Sequence, residues 1–383
     1  MTTQKEKAAR FLELHQPGRP LLLPNPWDQG SAKLLAALGF QALATTSSGF
    51  AATLGRSDGS VSREEALEHA AAIVAATDLP VSADLENCFA DDPDGVAQTV
   101  ALAVGTGLAG CSAEDFTGND DEPIYDIGLA TERVAAAAEA AHAGPVRLVL
   151  TARAENYLYG RGNLANTITR LQAYQAAGAD VLYAPGLTSL ADIRQLVSEV
   201  DRPVNVLAMP GTPPVSELAG VGVSRVSVGG ALAFAALGAL VDAATELRDN
   251  GTYGYLAGAA IGRQALKGIA LAKHRHLQLE GSGVEMSTAM RHWPFGSRCQ
   301  MVASHTEMVA PAAPAPATPA GISTVTVHRA YPRSPEDEDS CRRMLRRARA
   351  AVARLIATRQ KSSMAACPRM GCMPSAMSWA SSV

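Results

Sequence analysis

Between Leu21 and Asn250 a short apolar run is followed, eight times over, by a longer alanine-rich stretch. The short runs are "LLLPN", "ALATTS", "PVSADL", "AGCSAED", "VRLVLTAR", "DVLYAPG", "PVNVLAM" and "RVSVGG". Runs of this length and character read as buried strands. The stretches between them, such as "SREEALEHAAAIVAAT" and "ATERVAAAAEAAHAG", repeat apolar residues at three- and four-residue spacing. Several close on glycine, as capped helices do. Eight strand–helix units in about 230 residues meet the requirement of a (β/α)8 TIM barrel, usually ~250 residues long. An open doubly wound sheet has the same periodicity; the count favours the barrel.

The chain has 383 residues, so the barrel accounts for only part of it. Residues 1–270 are assigned to the barrel and 271–383 to a low-complexity C-terminal extension. Composition changes abruptly there: nine of eleven methionines and four of six cysteines come after residue 280. "VAPAAPAPATPAG" is a Pro/Ala-rich linker that forms no regular helix. "CRRMLRRARAAVARLIATRQK" has the pattern of a basic amphipathic helix suited to an acidic partner or membrane. The preferred reading of the extension is disorder, or a coding stretch read in an altered frame.

Hydrophobic residues make up 47% of the chain and aromatic residues 5%, so the core must be built from Ala, Val and Leu. A net charge of -4 gives no general attraction to nucleic acid or anionic membrane. No apolar run reaches the roughly 18 residues of a membrane span. The start, "MTTQKEKAARFLELHQPG", lacks a secretory apolar region. Irregularly spaced cysteines suggest free thiols in a reducing compartment. The expected location is the cytoplasm.

In such a barrel, chemistry belongs at the carboxyl ends of the strands. Those ends carry Asn25 and Asp28, then Thr46, Ser47 and Ser48, then Asp84 and Glu86, Glu114 and Asp115, and Arg153 and Glu155. Three successive strands end in acids and the fifth adds an arginine. Side chains two apart on a strand share a face, so the acids can gather round a hard cation. The alternative is that they only cap the following loops and helices, and Glu155 could serve simply to orient Arg153. From Leu34 to Leu266 there is no lysine, which excludes a Schiff-base mechanism inside the barrel. The histidines of the barrel, His69 and His142, fall in predicted helices, which argues against a zinc site. Oxygen ligands alone favour Mg²⁺ or Mn²⁺. Arg153 could hold a substrate carboxylate in a bidentate fork. A metal beside an arginine suits small oxoacids whose enolate is stabilised by Lewis-acid contact.

The run "NPWDQGSAKLLAALGFQALATTSSGFAATLGRSDG", with "PVSADLENCF", "GCSAEDF", "VLTARAENYLYGRG" and "RLQAYQAAGADVLYAPG", resembles the isocitrate lyase/phosphoenolpyruvate mutase superfamily. The resemblance extends from about Phe11 to Gly251. It implies a Mg²⁺-dependent barrel acting on 2-oxoacids or related phosphonates, and an oligomer whose neighbours exchange the last barrel helix, expected near "YGYLAGAAIGRQALKGIA", whose usual ending is not recognisable. It implies that Asp84 is a metal ligand, that Glu114 reaches the metal through water and that Asp58 supports the water shell. Thr46 and Ser47, with the adjacent Ser48, would hold the substrate, and Arg153, with Glu155 beside it, would grip it. "SDGS" is equally a good turn, so Asp58 has two readings. Ser82 stands where the family motif has its first Asp, and Cys88 where a small residue such as Gly is usual. The loop "DFTGNDDEPIYDIG" lacks the Cys, Lys and His that isocitrate and methylisocitrate lyases carry there, and the lysine of the mutases.

The expectation is therefore a Mg²⁺-dependent lyase that cleaves a C–C bond in a small 2-hydroxy or 2-oxo acid through a metal-stabilised enolate. P–C chemistry, as in a phosphorylmutase or phosphonopyruvate hydrolase, is the alternative within enzymes. A catalytically silent metabolite-binding barrel is the alternative outside them.

Overall fold

The computed structural model describes residues 2–280. Of the extension read from the sequence, residues 281–383 lie outside the described residues, as do the linker and the basic segment within them. Met1–Arg275 form one compact unit.

The chain opens with helix α1 (Gln4–Glu13) and enters β1 (Leu21–Leu23), α2 (Gln29–Ala37), β2 (Leu43–Ala44), α3 (Ser47–Thr53) and α4 (Arg63–Ala76). It continues through β3 (Val81–Asp84), α5 (Pro93–Val104), β4 (Gly110–Glu114), α6 (Ile127–His142), β5 (Val149–Arg153) and α7 (Leu164–Ala176). Then come β6 (Val181–Tyr183), α8 (Leu190–Ser198), β7 (Val204–Leu207), α9 (Val215–Gly220), β8 (Arg225–Ser227), α10 (Ala231–Asn250) and α11 (Leu256–Glu280). The eight strands pair in parallel in the order β1-β8-β7-β6-β5-β4-β3-β2. With helices alternating around the outside, this is the (β/α)8 TIM barrel expected from the repeat count.

The ring closes between β1 and β2 without a regular ladder. Pro24, just beyond β1, has no N–H to give, so the joint rests on the Ala44 N–H donating to the Pro24 carbonyl at 3.2 Å. Asn25 completes it from the mouth. Its Nδ2 donates to the Thr45 carbonyl at 2.9 Å, and its Oδ1 accepts the N–H groups of Val228 and Gly229 at 3.0 Å each. One buried amide thus ties the ends of β1, β2 and β8 together.

Two apolar layers hold the barrel. The larger lies between the strands and the helices, and small side chains such as Ala103, Ala137, Ala138 and Ala141 let the helices pack closely. The smaller fills the inside of the lower barrel, where Phe11 of α1 packs with Leu21, Leu23, Val149 and Val181. Gly110 permits this: a Cβ there would meet the Val149 carbonyl at 2.7 Å and the Phe11 ring at 2.9 Å.

Helix ends match their sequence signals. Thr3, Asp28 and Ser62 form capping boxes, each sparing the first turn its unsatisfied N–H groups. One element departs from the strand pattern. "ALATTS" reads as strand to its end, yet β2 stops at Ala44 and Ser47 begins a helix. Thr46 causes the turn, because its side chain accepts the Gly49 N–H at 3.3 Å as an N-cap.

His15, just after α1, is buried beneath the barrel. Its Nδ1–H donates to the Phe11 carbonyl at 2.8 Å, leaving Nε2 to accept from Arg225 Nη1 at 3.3 Å. Burial, reinforced by the Arg225 charge, pushes its pKa down to about 3. The unfolded chain takes up this proton near pH 6.5 and the folded one does not. Stability is therefore complete above pH 6.5 and falls below it, by about 1.4 kcal/mol per pH unit. Urea unfolding at pH 7 and pH 5 is expected to differ by about 2 kcal/mol from this residue, and His15→Gln to remove that part of the difference.

Candidate active site

The carboxyl ends of β1, β2, β3, β5, β6, β7 and β8 surround a cavity of about 190 Å³, whose lining takes in Asn25 and Leu207 but neither Glu114 nor Glu155. That is below the ~300 Å³ typical of sites for drug-sized molecules, so the space suits a small metabolite. Asp84, Asp58, Arg153, Thr46, Ser47 and Ser48 all line it.

Asp84 is fixed at the end of β3 from several sides. Its own N–H donates to Thr45 Oγ1 at 2.9 Å, while its Oδ2 accepts the Ser47 N–H at 3.2 Å. Oδ1 accepts from Arg153 Nη1 at 2.8 Å, and more weakly from Ser112 Oγ and the Glu86 N–H at 3.4 Å each. The early turn after β2 therefore has a purpose: it brings a helix-start N–H to a carboxylate, where the helix dipole favours negative charge.

Arg153 does not stand across from the acids; its guanidinium lies among them. Nη1 meets Asp84 at 2.8 Å, Nη2 meets Glu114 at 3.0 Å and Nε meets Glu155 at 2.7 Å. The Tyr183 ring lies 5.3 Å from its central carbon. Burial opposes the charge, but Glu114, Glu155 and Asp84 outweigh it and push the pKa well above the ordinary arginine value. A guanidinium has five N–H donors, so two remain for a ligand.

Around this one cation the acids are in excess. Burial raises the carboxyls of Glu114 and Glu155, and the Arg153 contact opposes the rise in both. Glu86 is pushed up to about 8 by burial and then by Asp84 and Asp58. The donor set is all oxygen, as Mg²⁺ or Mn²⁺ prefers. Among the described residues no three His, Cys, Asp or Glu side chains form a ready-made cage. Mg²⁺ needs only one or two carboxylates, with water and substrate oxygens completing its shell. The residues present fit it on those terms.

The other expected residues fall into distinct places. Thr46 is buried, and its hydroxyl caps α3 and lies 3.2 Å from Ser48 Oγ. Ser47 and Ser48 are half-buried on the cavity wall, and Asp58 is exposed on the rim loop beside the Ser47 hydroxyl. Glu155 is buried and turned toward Arg153. Asp115 points behind the barrel, accepting from the Glu155 N–H at 2.8 Å, Tyr174 Oη at 2.6 Å and Arg170 Nη1 at 3.2 Å. His69 donates to the Trp27 carbonyl and His142 pairs with Asp180, both away from the cavity.

The loop after β3 is strained. Glu86, Cys88 and Phe89 adopt φ of 51°, 61° and 57°, a left-handed region costly for residues with a Cβ. This explains why a small residue suits position 88. The Cys88 thiol is fully buried and pushed up to about 12 by that burial, which leaves it inert as a nucleophile. Arg133 of α6 holds the loop in place. It donates to the carbonyls of Ala90, Asp91 (2.7 Å) and Asn87 (2.7 Å), and stacks 4.2 Å from the centre of the Tyr125 ring. Sequence reading missed Arg133 because its partners lie more than 40 positions away.

The site is thus oxygen-rich, bridged by one arginine and placed at the strand ends of a (β/α)8 barrel, where enzymes of this fold carry their chemistry. The family model described as phosphoenolpyruvate phosphomutase matches residues 11–248. This chain belongs to that family, within the isocitrate lyase/phosphoenolpyruvate mutase superfamily, and so stands among lyases and mutases. It is similar to a Burkholderia cenocepacia J2315 protein of known structure, provisionally assigned as a lyase/mutase. Identity is 51% and the TM-score 0.67, covering 69% of this chain and 95% of that one. A second protein of the same organism, provisionally a phosphonomutase, is 38% identical with a TM-score of 0.60, covering 65% and 100%. The 2-methylisocitrate lyase of Escherichia coli (strain K12) is 28% identical over 222 residues, 53% of this chain and 74% of that protein.

Removing the Arg133 guanidinium frees three carbonyls and the strained loop they belong to. Arg133→Ala is expected to lower stability by at least ~2 kcal/mol, measured by urea unfolding, and to loosen Glu86 and Asp84 with it.

Proposed function

We propose that the protein is a cytoplasmic, Mg²⁺-dependent lyase that cleaves a C–C bond in a small 2-hydroxy or 2-oxo acid. The observation that carries this reading is the Asp84–Arg153 pair on the wall of a metabolite-sized cavity at the strand ends. When bound, Mg²⁺ would supply Lewis-acid stabilisation of the negative charge that develops on the substrate oxygen during cleavage. Asp84 would hold it directly, with Glu114 and Asp58 acting through its water. Mn²⁺ would suit the same oxygens.

The chain's own groups account for the rest. Arg153 uses its two spare N–H donors to grip the substrate carboxylate, and Glu155 locks the guanidinium plane by its 2.7 Å contact. Thr46, Ser47 and Ser48 bring small polar groups to the neighbouring wall. Lysine is absent from Leu34 to Leu266, which removes an amine-based route from the barrel.

P–C bond chemistry is the second reading, favoured by the family's description and by the phosphonomutase among its relatives. Incubation with phosphonopyruvate separates the two: free phosphate or phosphoenolpyruvate supports P–C chemistry. Cleavage products from a panel of 2-hydroxy and 2-oxo acids support C–C cleavage. Oxalate, an enolpyruvate mimic, is expected to bind in calorimetry only with Mg²⁺, and Asp84→Asn to weaken it by at least about tenfold. Metal-dependent oxalate binding with no turnover of either panel would instead support a catalytically silent barrel.

The assembly proposed is a homo-oligomer whose neighbours exchange α10, one helix earlier than the expected segment "YGYLAGAAIGRQALKGIA", which falls mostly in α11. Of the 20 residues of α10 only Ala233 is buried, while Leu232, Phe234, Leu237, Leu240, Val241 and Leu247 are exposed. An apolar stripe of that length favours a protein partner over water. Light scattering is expected to give a dimer or tetramer, and Leu240→Glu with Val241→Glu a smaller species.

A further inference from the structure

The cavity has a second cation, and among the described residues no carboxylate pairs with it. Arg153 is met by three carboxylates, Arg170 pairs with Asp115, and Arg133 donates to three carbonyls. Arg225, only 4% exposed, has no carboxylate partner either, and unlike Arg133 it lines the cavity. Its Nε donates to Asn205 Oδ1 at 2.9 Å, and its Nη1 to Thr151 Oγ1 at 3.1 Å and His15 Nε2 at 3.3 Å. All three acceptors are neutral, since the His15 ring is kept unprotonated. Among the described residues Nη2 has no acceptor.

Its depth is set by the strand register. Thr151 precedes Arg153 by two residues on β5, about 6.6 Å along a strand, so the Arg225 guanidinium lies one side-chain layer below the Asp84–Arg153 pair. Around Arg225 the polar groups are uncharged: Thr151 and Asn205 accept from it, and Ser82 and Ser112 line the cavity nearby. An unpaired buried cation costs several kcal/mol, and a residue needed only to fill the barrel would be apolar. The asymmetry is chemical: the upper layer has acids in excess over one guanidinium, while the lower layer has a guanidinium and no acid.

We propose that Arg225 forms an anion subsite on the cavity floor, which takes the second acid group of a substrate whose 2-oxo or 2-hydroxy acid end sits at Asp84 and Arg153. The proposal rests on the oxoacid reading above and extends it, because it makes Arg225 the residue that distinguishes two-acid from one-acid ligands. A four-carbon dicarboxylate has about the right reach, its two carboxylates being separated by roughly the spacing of one strand layer.

The test compares malate with lactate, which differ in the second carboxylate, by calorimetry with Mg²⁺ on the full chain and on Arg225→Gln. Oxalate serves as the probe of the upper layer. The intact chain is expected to prefer malate by at least about tenfold, and Arg225→Gln to lose that preference while keeping its oxalate affinity. Equal binding of malate and lactate by the intact chain, or an unchanged preference in Arg225→Gln, overturns the proposal. Failure of oxalate to bind the intact chain with Mg²⁺ overturns the oxoacid reading instead. Should Arg225→Gln not fold, a structure of the intact chain with malate decides: a carboxylate on the Arg225 guanidinium supports the subsite, and one placed elsewhere rules it out.

Discussion

The site is organised by one guanidinium shared among three carboxylates. Asp84, Glu114 and Glu155 come from three separate strand ends, and each would repel the others without Arg153 between them. Taking such charges out of water is expensive, and removing the common partner strands the acids in a low-dielectric mouth. The arginine therefore sets where the acids can be, and the acids in turn fix the arginine's plane. The acids still outnumber the guanidinium, and their donor atoms are all oxygen, the kind that hard divalent ions prefer.

How far the sequence reveals this depends on the range of the interaction. The barrel was legible because strand and helix periodicities are local, and eight of them in succession leave few architectures. The acids were legible as strand-end residues for the same reason. The pairing of Arg153 with Asp84 was not, because those residues stand 69 positions apart and nothing local says which way the guanidinium turns. Asn25 reaches Val228 across 203 positions, and Arg225 reaches His15 across 210. Such contacts are set by barrel closure, which periodicity alone does not specify. The turn at Thr46 is the opposite case: its cap signal is local, but the apolar run before it outweighed the Thr-Ser-Ser sequence.

Strain and support are paired in the loop after β3. Three left-handed residues that each carry a side chain are kept in place by Arg133, itself buried and stacked on Tyr125. A helix on the outside of the barrel thus governs the conformation of a loop at its mouth. The same division of labour appears beneath, where α1 plugs the lower end through Phe11 and His15, and His15 in turn orients Arg225.

The joint between β1 and β2 is unlike the other seven. Seven neighbouring pairs of strands are laced by regular ladders, whereas the eighth is fastened mainly by one carbonyl and the amide of Asn25. That fastening lies on the rim beside Ser48 and Gly229, against the cavity and not behind it. A change at Asn25 would therefore act on the closure of the ring and on the wall of its mouth in a single stroke.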